Sequence, residues 1–178
     1  SGVLELAAEI RRVTGAPLLF TRRSVREGGQ PIALSESQVF ALYEVVCSCE
    51  AADIVDVEMA AEPSFLATVR EAARANGIAL LLSFHDFAAT PPAEQLLARY
   101  RQADALGADI GKLAVMPRSP ADVLALLQAT LQASSELAIP VAGMSMGALG
   151  AVTRLCGGEF GSALTFAVGL AGSGPGEQ

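Results

Sequence analysis

Six stretches of strand length, at 18–21, 54–59, 79–84, 110–115, 140–144 and 163–167, are apolar almost without interruption. Helix-like stretches at 3–13, 37–47, 63–75, 93–106, 120–133 and 148–155 separate them. A strand with one wet face alternates apolar and polar residues, whereas a strand apolar throughout is covered on both faces, as in a parallel sheet flanked by helices. Gly15, Asn76-Gly77 and Gly107 sit where three of the helices should stop, and such residues readily take the left-handed conformation that closes a helix. Either a (β/α) barrel or an open doubly wound sheet satisfies this alternation. The strand ends favour the barrel, because Thr21-Arg22-Arg23, Glu58, His85, Lys112, Met144-Ser145-Met146 and Phe166 recur at the same edge of successive strands. In a barrel that edge is where the loops converge on a site. A single α/β domain over residues 1–178 is therefore expected, with no second domain, linker or short-period repeat.

Composition narrows the partners. With 178 residues, 52% of them hydrophobic, the chain can bury a sizeable core. Its formal charge of −7 argues against nucleic acid, whose phosphates are bound mainly through Lys and Arg. Cys47, Cys49 and Cys156 are an odd number with no second metal-binding pair, and read as reduced thiols. No apolar run reaches the roughly 18 to 20 residues of a membrane span, and no signal peptide is evident, so a cytoplasmic protein is expected.

Histidine titrates near neutral pH, and His85, in "SFHDF", is the only one in the chain. Lys112, in "GADIGKLAVMP", either extends its amine to solvent or buries it in a barrel mouth. Burial lowers a lysine's pKa, and a neutral amine is what attacks a carbonyl to form a Schiff base. Glu27, in "SVREGGQ", is either a solvated loop carboxylate or the partner of one His85 ring nitrogen. Asp56 and Glu58 lie on one strand, where Glu58 either faces the site or pairs with Arg23. Arg23 and Arg154 suit bidentate binding of a carboxylate. "GMSMGALG" has neither the spacing of a dinucleotide fingerprint nor that of a serine nucleophile elbow.

Taken together, "PLLFTRRSVREGGQ", "DIVDVEM", "SFHDFAATPP", "LGADIGKLAVMP", "PVAGMSMGALGAVTRL" and "FGSALTFAVGLAGSGPG" resemble type I 3-dehydroquinate dehydratase, the Schiff-base enzyme of the shikimate pathway, in order and spacing. The resemblance implies a (β/α)8 TIM barrel of the class I aldolase type. About six βα units would be represented here, with the family's first two strands and last helix absent from the sequence. It implies Lys112 as the imine-forming lysine, His85 as general base and acid, and Glu27 as the carboxylate that orients the histidine. Arg154 would bind the substrate carboxylate, Arg23 and Ser173 would contact substrate oxygens, and Met144, Met146 and Phe166 would form the pocket wall. The implied reaction converts 3-dehydroquinate to 3-dehydroshikimate without a metal or organic cofactor, in a cytoplasmic homodimer.

The family's closing motif is Ser-Ala-Pro-Gly-Gln, whereas this chain reads Ser173-Gly174-Pro175-Gly176-Glu177-Gln178. Glu177 thus stands where a neutral amide would approach the substrate carboxylate, unless Gln178 replaces it by a one-residue shift. Two other readings follow from the same residues: a non-catalytic barrel fragment serving as a ligand-binding or interaction module, and a Schiff-base aldolase.

Overall fold

The computed structural model describes residues 2–167, in which every strand is parallel to its neighbours. The strands are β1 (Leu19–Thr21), β2 (Ile54–Glu58), β3 (Ala79–Asp86), β4 (Ile110–Val115) and β5 (Val141–Ser145), and they lie in the order β1-β2-β3-β4-β5. Sequential order separates the two architectures left open above. A doubly wound sheet reverses its strand order at a switch point, and this sheet winds in one direction, as a barrel wall does.

Helices α1 (Gly2–Thr14), α2 (Glu36–Ser48), α3 (Pro63–Ala75), α4 (Ala93–Ala105) and α5 (Pro120–Glu136) alternate with the strands. Two short helices, α6 (Gly147–Gly150) and α7 (Val152–Cys156), replace the single helix expected at 148–155. The helix boundaries have local causes. Ser35 and Ser119 form capping boxes with Gln38 and Asp122, and Pro63 and Pro120 begin α3 and α5, where a missing N–H does no harm. Gly15, Gly77 and Gly107 take positive φ, as the helix-stop reading requires.

The strand register puts alternate residues on opposite faces. Val55 and Val57, Leu80 and Leu82, and Leu113 and Val115 point outward into a core shared with Val39, Phe65, Leu96, Leu126 and their neighbours on the helices. Asp56 and Glu58, Ser83 and His85, Lys112, and Met144 share the inner face, since Glu58 pairs with Ser83, Ser83 with Lys112, and Ala114 with both His85 and Met144.

Two expectations change. β3 runs two residues beyond 84, because its pairing with β4 continues through His85 and Asp86; His85 thus lies within the ladder at the strand's end, where the strand-end reading put it. Residues 163–167 do not form a sixth strand. Only an isolated bridge from Ser162 to Val141 is present, and the carbonyls of Leu164 and Phe166 accept from the side chains of Ser162 and Arg154.

Candidate active site

At the C-terminal ends of β1–β4, alternation gathers charged groups inside an otherwise apolar sheet. Lys112 is 5% exposed, so it does not reach to solvent. Its Nζ lies 3.5 Å from Asp56 Oδ2 and 4.0 Å from the centre of the Phe166 ring. Burial pushes the amine below the usual lysine range, and the Asp56 carboxylate opposes this in part.

His85 stands on the adjacent strand, same face, two residues beyond the Ser83 that pairs with Lys112. Its Nδ1 is 2.8 Å from Glu27 Oε2, a contact spanning 58 residues of sequence. Glu27 is therefore a buried partner of the histidine and not a solvated loop carboxylate. The turn that delivers it is a single 3-10 turn, Val25–Glu27, capped by the Ser24 side chain and closed by Gly28 at φ 84°. A side chain at Gly28 would run into the ring of Phe87, so glycine is needed there for both conformation and space. Burial and the Glu58 charge raise the Glu27 pKa to about 7. Burial, then the charges of Arg23 and Lys112, push His85 below the usual imidazole range, which keeps the ring neutral at neutral pH.

Arg23 ties these groups together. Its Nη2 donates to Asp56 Oδ2 at 2.5 Å and its Nη1 to Ser83 Oγ at 2.7 Å, with Glu58 at 3.5 Å and Glu27 at 3.6 Å from Nη1. Glu58 also accepts from the Ser24 amide and hydroxyl, both at 2.6 Å, so it does both things foreseen for it: it faces the site and pairs with Arg23. Both terminal nitrogens of Arg23 are thus engaged within the protein, which restricts it as a fork for substrate.

Beyond Lys112, Met144, Met146, Leu164 and Phe166 form a small apolar cluster with Ala114 and Ala142. The three residues expected to make a pocket wall are therefore contiguous. Arg154 donates from Nη1 to the Ser145 carbonyl at 2.9 Å and from Nε to the Phe166 carbonyl at 3.2 Å, joining the end of β5 to the segment that carries the Phe166 ring. Ser173, Glu177 and Gln178 lie outside the described residues.

Two members of the site were not singled out from the sequence, Asp56 and Ser83, both fully buried and hydrogen-bonded to each other at 2.5 Å. The signal for Asp56 was present: an acid in the middle of "DIVDVE" cannot be buried without cations or donors around it. Among the described residues no group of three or more His, Cys, Asp and Glu could hold a metal ion, and no helix is long and apolar enough to cross a membrane. The arrangement suits amine chemistry on a carbonyl: a buried amine, a neutral imidazole with its outer nitrogen available, and an apolar wall beside the amine.

Comparison with known proteins agrees in sequence and in shape. The family model for type I 3-dehydroquinase matches residues 1–178. The 3-dehydroquinate dehydratase of Albidiferax ferrireducens is 56% identical over 178 residues, which is 99% of this chain and 67% of that protein. That of Geobacillus thermodenitrificans is 54% identical over 98% of this chain and 68% of its own length. The crystal structure of 3-dehydroquinate dehydratase from Geobacillus kaustophilus superposes with a TM-score of 0.92 at 53% identity, over 98% of this chain and 68% of that one.

Proposed function

The chain belongs to the type I 3-dehydroquinase family, and from that membership and the site we propose that it dehydrates 3-dehydroquinate through a Schiff base on Lys112. The single observation that carries the reading is the buried amine beside an oriented imidazole on one face of a barrel-type sheet. The neutral Lys112 amine attacks the substrate ketone, and loss of water leaves a protonated imine. That cation is an electron sink, so the adjacent C–H becomes acidic enough for His85 Nε2 to take its proton. The electron pair then moves toward the neighbouring carbon, whose hydroxyl leaves as water with the proton returned by His85. Hydrolysis of the imine releases the enone product and restores the amine.

Glu27 selects the histidine tautomer. When it is ionised it accepts the Nδ1 hydrogen and leaves the Nε2 lone pair free to act as base. Once protonated it donates to Nδ1, Nε2 carries the hydrogen, and the base is lost. Activity in kcat/KM should therefore fall as pH drops through about 7. Met144, Met146 and Phe166 supply the wall against the substrate ring, and Arg154 with Ser173 supplies the donors for its carboxylate and hydroxyls, while Arg23, held by Asp56 and Ser83, chiefly organises the acidic groups and reaches a substrate oxygen only by giving up one of those contacts. We extend the reading to a cytoplasmic homodimer, an extension that rests on the family resemblance.

The test is a spectrophotometric assay with 3-dehydroquinate, in which enone absorbance should rise with the parent protein and not with Lys112→Ala. Absence of turnover by the parent, or substantial turnover by the variant, would overturn the proposal. Cleavage of a carbon–carbon bond in place of enone formation would identify an aldolase, and ligand binding without turnover an interaction module.

A further inference from the structure

Asp56 is the charge around which the inner face is arranged. It sits in the middle of β2 with no exposed surface, and both carboxylate oxygens are engaged. Oδ1 accepts from Ser83 Oγ at 2.5 Å, while Oδ2 accepts from Arg23 Nη2 at 2.5 Å and lies 3.5 Å from Lys112 Nζ. Its main-chain carbonyl accepts the Tyr43 hydroxyl at 2.7 Å, which fixes the strand from the helical side. Few groups in the molecule are held so completely.

The two cations it serves are unequal. Arg23 has Glu27 and Glu58 as further carboxylate neighbours, whereas Lys112 Nζ has only Asp56 within ion-pair distance among the described residues. A lysine stem is flexible and its ammonium is a point charge without preferred direction, so one immobile oxygen determines where it points. The Phe166 ring, 4.0 Å away, bounds the other side. The other charged and titratable groups around Lys112 are Arg23, whose charge also lowers the amine's pKa, Glu27 from the 3-10 turn, whose charge raises it, and His85 from β3; only Asp56 opposes the desolvation of the amine by direct contact.

We infer that Asp56 is a positioning residue, which aims Lys112 Nζ into the barrel mouth and serves as the counter-ion of the cation which that nitrogen becomes. The inference deepens the imine reading and rests on it for its catalytic consequence. An iminium carries its positive charge on the same nitrogen as the ammonium, so a carboxylate that stabilises one stabilises the other. An imine that loses its proton is a poor electron sink, and elimination slows. Asp56 touches neither the ketone nor the abstracted proton; it acts through Lys112.

The direct readout is the titration of Lys112 itself, followed by NMR with 15N-labelled lysine in the absence of substrate. Asp56→Asn keeps the shape and removes the charge, and it should lower the Lys112 pKa by about one unit or more and reduce kcat at least about tenfold, with a smaller change in KM. A Lys112 titration that coincides with that of the parent would overturn the inference. Because this measurement uses no ketone, it separates the inference from the imine mechanism: failure of the parent to form an adduct would sink the mechanism, and an unmoved titration would sink the role of Asp56. Asp56→Glu is the second variant, chosen because it keeps a carboxylate for Arg23 if the asparagine fails to fold. It should leave the Lys112 titration near that of the parent yet lower kcat, since the anchor has moved by a methylene; full parental kcat would overturn the positioning role.

Discussion

On the outer face of the sheet, Val55, Val57, Leu80, Leu82, Leu113 and Val115 meet the helices in an apolar core. On the inner face, one residue along the same strands, stand Asp56, Glu58, Ser83, His85 and Lys112. The backbone is common to both, so the difference is carried entirely by alternation. The outer residues remove apolar surface from water, at roughly 25 cal/mol for each square ångström. The inner residues are a buried ionic network, and replacing such a network by apolar side chains is often neutral or stabilising. Stability and chemistry are thus divided between the two faces, and substitutions on one should leave the other's property largely intact.

Lys112→Ala should separate the faces most widely. Turnover is expected to drop by at least about 10⁴-fold, while circular dichroism and thermal unfolding show a folded protein. Loss of the fold would mean that the inner network also holds the sheet together. His85→Ala should slow turnover by about 10²–10⁴-fold and still allow a ketone to be trapped on Lys112; an unchanged rate would point to another base. On the opposite face, Leu82→Ala should lower unfolding stability by about 2–5 kcal/mol, with kcat per folded molecule little changed. A large loss of kcat in still-folded protein would show that the core positions the site more tightly than the division of faces allows.

The smallest effect is the most diagnostic in sign. Glu27 has a folded-state pKa raised to about 7 from an ordinary value of 4.5, so the folded protein holds this proton more firmly than the unfolded chain. Stability is therefore lost as pH rises from about 4.5 to 7, and the loss is complete above that window. Glu27→Gln should accordingly be more stable than the parent at about pH 8, by up to about 2 kcal/mol, with the difference closing toward about pH 4. The same variant should be slower and should lose the acid limb of its pH profile. Denaturant titrations at the two pH values check the first claim, and kcat/KM against pH the second.

The outer face was the more legible of the two in the sequence. Unbroken apolar runs marked β1–β5 within two residues at each end, because their burial on both sides of the sheet removes polar residues from nearly every position. The run at 163–167 looked the same and is not a strand, since side chains of Ser162 and Arg154 take the carbonyls a ladder would use. Apolarity alone does not reveal where a hydrogen bond goes. On the inner face, Lys112 and His85 stood out as polar residues within such runs. Residue types alone left Glu27 open between a solvated loop carboxylate and a partner of His85, and the resemblance to a family chose the second, because 58 residues separate the two and nothing local points from one to the other. Asp56 went unassigned for the opposite reason. It lies beside Val55 and Val57 in the chain, and its role appears only when Arg23, Ser83 and Lys112 arrive from three other segments.

The central claim is that Lys112 presents an uncharged amine to a bound ketone. Borohydride reduction in the presence of 3-dehydroquinate, followed by peptide mass mapping, tests it most directly. The account predicts a covalent mass increase confined to the peptide containing Lys112, absent without the ketone and absent in Lys112→Ala. Turnover of 3-dehydroquinate with no adduct at Lys112, or an adduct on another residue, would contradict it.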